Sequence, residues 1–271
     1  MTLDEIDQAL DSKTPAALLI WEKIGRDSSM YTTALFAVST SPNGDILELA
    51  GTGTLVAVGD SHYILTARHV WEEVLRPANK IGISLRENLN HKCLMDTDSI
   101  VPFGPPKPAK WNEWGPDIVF LRIPPIRVLE IEAFRVFYRL RAEEKPLPAK
   151  ECIEAGLLIG TPHALGKFTQ NHASVEIHGF WSKKQSVFNA SDFEYIDLDV
   201  ELPQPSTAKS FGGVSGGGVW RVFIYSNPST GEIDSDAVLQ GIAFYEFNVQ
   251  KGQGTIRCHG LRSILPVISS L

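Results

Sequence analysis

A chain of 271 residues with 43% hydrophobic residues, 17 prolines and 22 glycines is long enough to bury its own core, and this composition is typical of a folded protein rich in turns. The balance of 25 Lys and Arg against 32 Asp and Glu leaves a net charge of −7, which argues against general binding to nucleic acid or to an anionic membrane. Three scattered cysteines without CxxC spacing favour free thiols in a reducing compartment, so we expect a cytoplasmic protein.

Residues 1–15 predict a short amphipathic helix, because Leu3, Ile6 and Leu10 recur at helical spacing behind Thr2. The acidic side chains of this segment do not match the basic and apolar pattern of a secretory signal. No later run has the length of a membrane helix. We therefore expect an N-terminal helical extension and no membrane partner.

Short apolar runs rich in β-forming residues follow along the rest of the chain. Before residue 124 they are 16–22, 31–39, 46–58, 62–66, 81–85 and 118–123, and after residue 148 they are 151–160, 173–181, 193–202, 218–225, 237–247 and 255–259. Turn residues bound most of these runs, a pattern that predicts antiparallel strands. The last residues, 261–271, predict a terminal helix or turn.

A charged, proline-flanked stretch, residues 124–148, connects the two sets of runs. Six strands on each side predict an all-β fold of two antiparallel six-stranded β-barrels, the first from residues 16–123 and the second from 149–271. The cleft between two such barrels is the natural place for a functional site.

The most informative stretch for chemistry is residues 210–220, SFGGVSGGGVW, in which Ser215 stands among glycines. Glycines permit a tight loop that lifts the hydroxyl toward solvent and leaves nearby backbone N–H groups facing the same point. A serine hydroxyl is a weak nucleophile unless a base within hydrogen-bond reach takes its proton. The loop therefore predicts a nucleophile that needs a base elsewhere in the chain.

A base and a carboxylate occur in the first half of the chain. His69 follows the run 62–66 in a short polar turn, and Asp117 opens the run 118–123. A histidine at a strand end suits the base, and a carboxylate at the edge of a buried strand suits the group that fixes its tautomer. Either residue alone is more often structural, but with the serine they predict a Ser-His-Asp site.

These motifs resemble those of the chymotrypsin-like (trypsin-fold) serine peptidases, in particular the disulfide-free intracellular bacterial members. The matching segments are 51–56 (GTGTLV), 64–69 (ILTARH), 117–121 (DIVFL), 213–217 (GVSGG), 241–245 (GIAFY) and 260–261 (GL) with the apolar residues after it. The resemblance covers roughly residues 30–271.

The resemblance implies a role for each catalytic residue. Ser215 would attack the scissile carbonyl, His69 would be general base and then general acid, and Asp117 would orient His69 and stabilise its charged form. The N–H groups of Gly213 and Ser215 would form the oxyanion hole.

A substrate site is also implied by the resemblance. Its residues would be Lys209 at the base of the primary specificity pocket, Glu246 and Gly260 on the walls, and Phe244 and Tyr245 on the strand that pairs with substrate backbone. Lys209 alone would favour an acidic substrate side chain and Glu246 could neutralise it, so no preferred cleavage residue follows.

Three departures from the family pattern accompany the resemblance. Val214 stands where secreted members have an aspartate that captures a new N-terminus, and Val70 replaces the cysteine that often follows the histidine. Both favour a cytoplasmic enzyme that is either always formed or switched by a partner protein. Phe244 replaces a small polar residue near the catalytic aspartate, so support for Asp117 would come from elsewhere.

Two other interpretations use the same residues. The glycines around Ser215 also spell the GxSxG elbow of α/β-hydrolases, with Asp234 or Asp236 and then His259 completing the order. That elbow leads into a helix, whereas the sequence after Ser215 is typical of a strand. The second interpretation is a catalytically silent trypsin-like pseudoprotease that acts as a protein-binding module.

No motif predicts a metal site or another cofactor, since HExxH is missing and the histidines lack ligand spacing. The predicted function is a cytoplasmic serine endopeptidase that cleaves protein or peptide substrates through an acyl-enzyme. The resemblance to bacterial members adds activation by a partner protein in stress or anti-phage defence. We expect no cofactor, no nucleic-acid partner and no membrane partner.

Overall fold

Strands from the two halves of the chain form two large sheets in the computed structural model. The structure describes residues 15–41, 44–86, 89–105, 115–141, 152–168, 173–182, 185–190, 192–202, 210–226, 230, 232–250 and 252–269. The strands of the first sheet are β1 (Thr32–Ser41), β2 (Gly44–Val58), β3 (Ser61–Thr66), β4 (Lys80–Ser84), β5 (Lys92–Asp96), β6 (Val101–Phe103), β7 (Val119–Arg122) and β8 (Tyr138–Arg139).

The second half holds the remaining strands. These are β9 (Ile153–Gly160), β10 (Lys167–Phe168), β11 (Ala173–Ser174), β12 (His178–Ser182), β13 (Gln185–Ala190), β14 (Phe193–Glu201), β15 (Gly218–Ser226), β16 (Ile233–Gln250) and β17 (Gln253–Gly260). The α-helices are α1 (Pro15–Ser29), α2 (Pro125–Glu132) and α3 (Leu261–Ile268), and shorter helical turns are Val70–Leu75, Thr97–Ser99 and His163–Leu165.

The first sheet closes through one interrupted strand. Its order is β5-β4-β1-β2-β3-β7-β6, and β8 pairs in parallel with β2. The two end strands, β5 and β6, are consecutive in the chain and are separated only by the turn Thr97–Ser99 and Ile100. Together they form one bent strand, which connects the two edges of the sheet and closes it into a six-stranded barrel.

The second sheet has the order β12-β9-β15-β16-β17-β14-β13. β12 contacts β14, so six strands curl round, and β13 is added outside as the partner of β14. Register shifts at Val219/Trp220 and Ala243/Tyr245 mark bulges, which increase local twist and help a sheet to curl. The prediction of an all-β, chymotrypsin-like fold with two antiparallel six-stranded barrels is confirmed.

An apolar cluster shared by the barrels fixes one against the other. Its members include Val56, Leu65 and Phe120 from the first barrel, and Leu157, Trp220 and Ile242 from the second. Trp220 is fully buried, and the rings of Tyr31 and Tyr138 lie with their centroids 5.2 Å from it. A site assembled from both halves therefore rests on a packed base.

The run 16–22 is helical, so the strand expected there is wrong. α1 has proline as its first residue, where the missing N–H is tolerated, and continues with Ala, Leu, Glu and Lys, which are good helix formers. Ile20, Trp21 and Ile24 recur at helical spacing, and the adjoining apolar residues masked that period. α1 packs against β9, β12 and β16 of the second barrel.

Other sequence expectations met different outcomes. The strands β5, β6, β10 and β13 were not predicted, and the connection 124–148 contains α2 and β8. The helix expected at residues 2–12 lies outside the described residues, and Pro15, the last residue of the predicted extension, is the first residue of α1. Cys93, Cys152 and Cys258 are free thiols. Within the described ranges, none of the helices combines the length and the apolar character needed to cross a bilayer.

Ile24 and Leu19 test how α1 packs. Ile24 is 3% exposed in the shared cluster, whereas Leu19 is 66% exposed on the same helix. Ile24→Ala should lower the free energy of unfolding by about 2–4 kcal/mol, and Leu19→Ala should change it by less than about 0.5 kcal/mol. Urea denaturation followed by tryptophan fluorescence measures both. Equal effects would contradict the packing of α1 on the second barrel.

Candidate active site

Strand pairing brings His69 and Asp117 together at one end of the first barrel. β3 and β7 are antiparallel neighbours with Thr66 opposite Val119, so the residues just after Thr66 and just before Val119 share one end of the sheet. His69 Nδ1 lies 2.6 Å from Asp117 Oδ2, and the backbone N–H of His69 donates to Asp117 Oδ1 over 2.9 Å. The carboxylate thus fixes both the ring and the backbone of the histidine.

Burial and pairing act in opposite directions on the pKa values of this pair. Burial lowers the pKa of His69, but the hydrogen bond and charge of Asp117, with a smaller effect of Glu73, raise that pKa above its usual 6.5. Burial raises the pKa of Asp117, but the side-chain and backbone hydrogen bonds from His69, together with the charges of His69 and His259, outweigh burial and lower that pKa below 3.8. Asp117 therefore stays charged at neutral pH and keeps the ring proton on Nδ1, which leaves Nε2 as the basic nitrogen.

His259 holds Asp117 from the second barrel. The backbone N–H of Asp117 donates to His259 Nε2 over 3.1 Å. His259 is fully buried, and this burial lowers its pKa to about 4 although the charge of Asp117 opposes the shift, so the ring is neutral and can accept. The ring of Phe244 stacks on it with centroids 4.2 Å apart. Support for Asp117 thus comes from the histidine behind Phe244.

Contacts between the serine loop and strand β2 bring Ser215 close to His69. The backbone N–H of Thr52 donates to Ser215 O over 2.9 Å. A Cβ atom at Gly51 would lie 3.0 Å from Ser215 O and also 3.0 Å from Val70 Cγ2. The carbonyl of the serine and the residue that follows His69 therefore flank the same point of β2.

Gly216 allows the serine loop to lie this close to the first barrel. Its φ is +88°, and any side chain there would overlap Thr52 O and Thr66 Oγ1. Its N–H donates to Ala243 O over 2.7 Å, and the N–H of Ala243 donates to Gly217 O over 2.9 Å. Only glycine satisfies both the backbone conformation and the spacing.

The peptide groups around Gly213 and Ser215 are held in one orientation. The carbonyl of Gly212 accepts from the N–H of His163, and the carbonyl of Val214 accepts from a later N–H of the loop, each over 2.8 Å. The carbonyl and N–H of a trans peptide point in opposite directions, so the N–H groups of Gly213 and Ser215 face away from these partners. Within the described part of the chain, neither N–H donates to a protein acceptor. Both donors are available for a developing oxyanion.

Ser215 Oγ and the His69 ring form no hydrogen bond among the described residues. Ser215 is half-buried, and its hydroxyl can turn about the Cα–Cβ bond. Hydrogen bonds to a catalytic nucleophile are often long or open before substrate binds. The structure therefore places the serine loop and the segment that carries His69 against the same strand, β2, and leaves the contact between Ser215 and His69 open among the described residues.

Residues expected on the substrate-binding strand differ in exposure. Tyr245 is 46% exposed, whereas Phe244 is 7% exposed and its side chain packs on His259. A substrate could therefore meet the Tyr245 side chain, and Phe244 only through its backbone. Lys209 lies outside the described residues.

Glu246 and Gly260, expected on the pocket walls, make contacts within the protein. The carboxylate of Glu246 accepts from the backbone N–H of Phe211, at the start of the serine loop. Gly260 is buried, and a side chain there would overlap the carboxylate of Glu194. The specificity pocket stays a prediction.

The α/β-hydrolase interpretation is wrong. The serine loop leads into strand β15 instead of a helix. Asp234 lies opposite Tyr225, and Asp236 accepts from the Tyr225 hydroxyl over 3.2 Å, whereas His259 lies opposite Ile242 further along β16. His259 instead accepts from the backbone N–H of Asp117.

Sequence reasoning missed three residues that contact the serine loop or its partners, namely Thr52, Thr161 and His259. Thr52 lies inside the segment 51–56 that carries the resemblance, yet a threonine in a strand pattern has no distinguishing signal. Its partner Thr161 is 109 positions away in sequence, and only the folded chain joins them. His259 was considered, but with the wrong carboxylate.

Comparisons with known proteins find distant similarity to solved structures. No protein-family model and no curated protein matches the chain. Among solved structures, tobacco vein mottling virus protease matches with a TM-score of 0.40 and 11% identity, over 86% of this chain and 78% of that one. A structure from work on aromatic interactions in the coupled folding and binding of the disordered Sesbania mosaic virus VPg protein matches with a TM-score of 0.44 and 11% identity, over 86% and 87%. The inference of a function therefore depends on the geometry of the site, and the resemblance to bacterial members of the peptidase family stays a prediction.

The pKa directions predict how the two histidines titrate. The His69 ring should gain its proton at a pH above 6.5, and His259 should stay neutral down to about pH 4. Asp117→Asn removes the charge that raises the pKa of His69, so the titration midpoint of His69 should fall. NMR of the imidazole nitrogens between pH 4 and 9 measures these midpoints. Asp98→Asn, at an exposed position, is the matched control and should leave them unchanged. A His69 midpoint that ignores Asp117→Asn would contradict the pairing.

Proposed function

We propose that this protein is a serine endopeptidase that cleaves protein or peptide substrates through an acyl-enzyme. One observation carries the proposal: a His-Asp pair from one barrel and a serine loop from the other meet at strand β2. Acyl transfer requires an oriented imidazole beside a serine and backbone donors for the oxyanion. The His69–Asp117 pair and the orientation of the Gly213 and Ser215 N–H groups match those requirements, whereas the hydrogen bond between Ser215 Oγ and His69 would form on binding.

In the first half of the reaction, His69 Nε2 takes the proton of Ser215 Oγ as that oxygen bonds to the substrate carbonyl carbon. Asp117 stabilises the imidazolium through its hydrogen bond to Nδ1. The N–H groups of Gly213 and Ser215 donate to the carbonyl oxygen as it gains negative charge, and one such donor contributes about 3 kcal/mol to transition-state stabilisation. The C–N bond then breaks, His69 gives its proton to the leaving amine, and an ester remains on Ser215.

Water completes the second half of the reaction. His69 takes a proton from water while the water oxygen bonds to the ester carbonyl carbon. The same N–H donors stabilise the second oxyanion. The ester C–O bond breaks, Ser215 Oγ regains a proton from His69, and the carboxylic acid product leaves.

A strand edge beside the site favours an extended peptide as substrate. β16 pairs with β15 only as far as Ile242, although β16 runs on to Gln250 and pairs with β17 on its other side. Beyond Ile242, the edge of β16 that faces the β15 side has no partner among the described strands. A peptide could add there through backbone hydrogen bonds, with the exposed Tyr245 side chain beside it.

Activation by a partner protein is the second part of the proposal. The open contact between Ser215 and His69 supports a site that is completed by binding. Val214 supports it as well, because this residue is 2% exposed and a Cβ atom at Gly160 would lie 2.9 Å from its Cγ1. A buried valine cannot capture a charged chain end, so control by cleavage of a leader would need another residue.

Labelling with a fluorophosphonate probe tests the proposal. Wild-type protein, alone or with cell lysate added, should gain one phosphonyl group by intact mass, because the probe reacts with an activated serine. Ser215→Ala should gain none, and His69→Ala should react at least about 1000-fold more slowly, since the base is lost. Ser186→Ala, at an exposed serine of β13, is the control and should react like wild type.

The negative outcomes separate the alternatives. An adduct that persists in Ser215→Ala would contradict the assigned nucleophile. Labelling that begins only when cell lysate is added would support the activating partner. No adduct under either condition would contradict the proposal and leave the catalytically silent pseudoprotease.

A further inference from the structure

A pair of buried hydroxyl groups joins the two barrels directly behind the serine loop. Thr52 lies on β2 of the first barrel, and Thr161 follows β9 of the second. Both residues are 0% exposed. Thr52 Oγ1 lies 2.8 Å from Thr161 Oγ1, accepts from the backbone N–H of Thr161 over 2.9 Å, and donates to Gly213 O over 2.7 Å. The pair therefore ends on the carbonyl of the glycine assigned to the oxyanion hole.

The proton positions in this network follow from the donors available. A threonine hydroxyl carries one proton and can accept two hydrogen bonds. Gly213 O can only accept, so the proton of Thr52 Oγ1 points to it. Thr161 Oγ1 then donates to Thr52 Oγ1, since the other acceptors, Gly51 O and Gly213 O, lie further away at 3.3 and 3.4 Å. Every buried polar atom in the pair is satisfied in this single arrangement.

Thr52 holds the serine loop through its backbone as well. Its N–H donates to Ser215 O over 2.9 Å, and its carbonyl accepts from Thr66 Oγ1 over 2.7 Å. The side chain thus holds the carbonyl of Gly213 while the backbone holds the carbonyl of Ser215. One residue of the first barrel fixes the peptides on both sides of the nucleophile.

Gly213 needs such support because the backbone of a glycine can change its conformation easily. Its φ is +92°, and glycine can leave that region at little cost. Rotation of the peptide between Gly212 and Gly213 would turn the carbonyl, instead of the N–H, toward the substrate oxygen. The hydrogen bond from His163 N–H to Gly212 O holds the peptide before Gly213. The hydrogen bond from Thr52 Oγ1 to Gly213 O holds the peptide after it.

We infer that Thr52 and Thr161 are positioning residues that form the oxyanion hole by docking one barrel on the other. Because Thr52 belongs to the first barrel and Gly213 to the second, the Gly213 donor is aligned only when the barrels are in register. The inference rests on the proposed acyl-transfer function. It assigns the alignment of the oxyanion hole to a neutral, buried hydroxyl contact.

Thr52→Val tests this inference, because valine keeps the shape of the side chain and removes the hydroxyl. The maximal rate of fluorophosphonate labelling should fall about 10- to 100-fold, since a misaligned donor loses part of the stabilisation that it gives. Thr52→Ser keeps the hydroxyl and should label within about 3-fold of wild type. The midpoint of the pH–rate profile should stay unchanged in both variants, because the His69–Asp117 pair is not altered.

Thr33→Val is the matched control. Thr33 is also 0% exposed in the first barrel, and its hydroxyl donates to Ser84 O over 2.8 Å, away from the serine loop. Thr33→Val should lower the melting temperature as Thr52→Val does and leave the labelling rate unchanged. If Thr52→Val does not fold, Thr52→Cys, with a weaker donor of similar size, should label more slowly than Thr52→Ser.

Two results would overturn the inference and can be told apart from failure of the proposed function. If wild type labels on Ser215 and folded Thr52→Val labels at the same rate, Thr52 does not position the donor. If Thr33→Val slows labelling as much as Thr52→Val, the effect is one of general stability. Failure of wild type to label, both alone and with cell lysate added, would instead contradict the proposed function itself.

Discussion

A backbone hydrogen bond from Thr52 N–H to Ser215 O sets the distance between the serine loop and the first barrel. Apolar burial around Trp220 drives the barrels together, but it is not directional and cannot choose one register. The hydrogen bonds of Thr52 are directional, and all of them are buried. An unsatisfied partner would cost about 1–3 kcal/mol, so displaced registers are penalised. Docking of the barrels and assembly of the site are therefore one event.

The pKa values of the two histidines near Asp117 are shifted in opposite directions because their surroundings differ. His69 faces the carboxylate at a partly exposed edge, so its pKa is raised, whereas His259 is enclosed by apolar rings and its pKa falls to about 4. The His69–Asp117 pair stabilises the fold most between pH 3.8 and 6.5, the ordinary pKa values of the two groups. The contribution of Asp117 is lost as pH falls through its lowered folded pKa, and that of His69 is lost as pH rises through its raised folded pKa. The proposed catalysis needs neutral His69 and would therefore require higher pH. Stability from this pair and activity favour different pH ranges.

The strand pattern predicted the all-β class and the two barrels, because period-two runs and turn residues are local signals. The sequence also predicted that His69 and Asp117 lie together, since each sits at a strand end, and the catalytic roles of these residues and of Ser215 stay proposals. Thr52, Thr161 and the role of His259 were not, because their function depends on partners in the other barrel. Helix α1 was misassigned where a continuous apolar run hides the helical period.

A crystal structure of the protein after phosphonylation of Ser215 tests the assembled site most directly. The predicted result is a phosphonyl oxygen about 2.7–3.1 Å from both Gly213 N and Ser215 N. The bond from Thr52 Oγ1 to Gly213 O should be intact, and His69 should remain paired with Asp117. A phosphonyl oxygen that points to solvent, or a Gly212 carbonyl turned toward it, would contradict the oxyanion hole and the part assigned to Thr52.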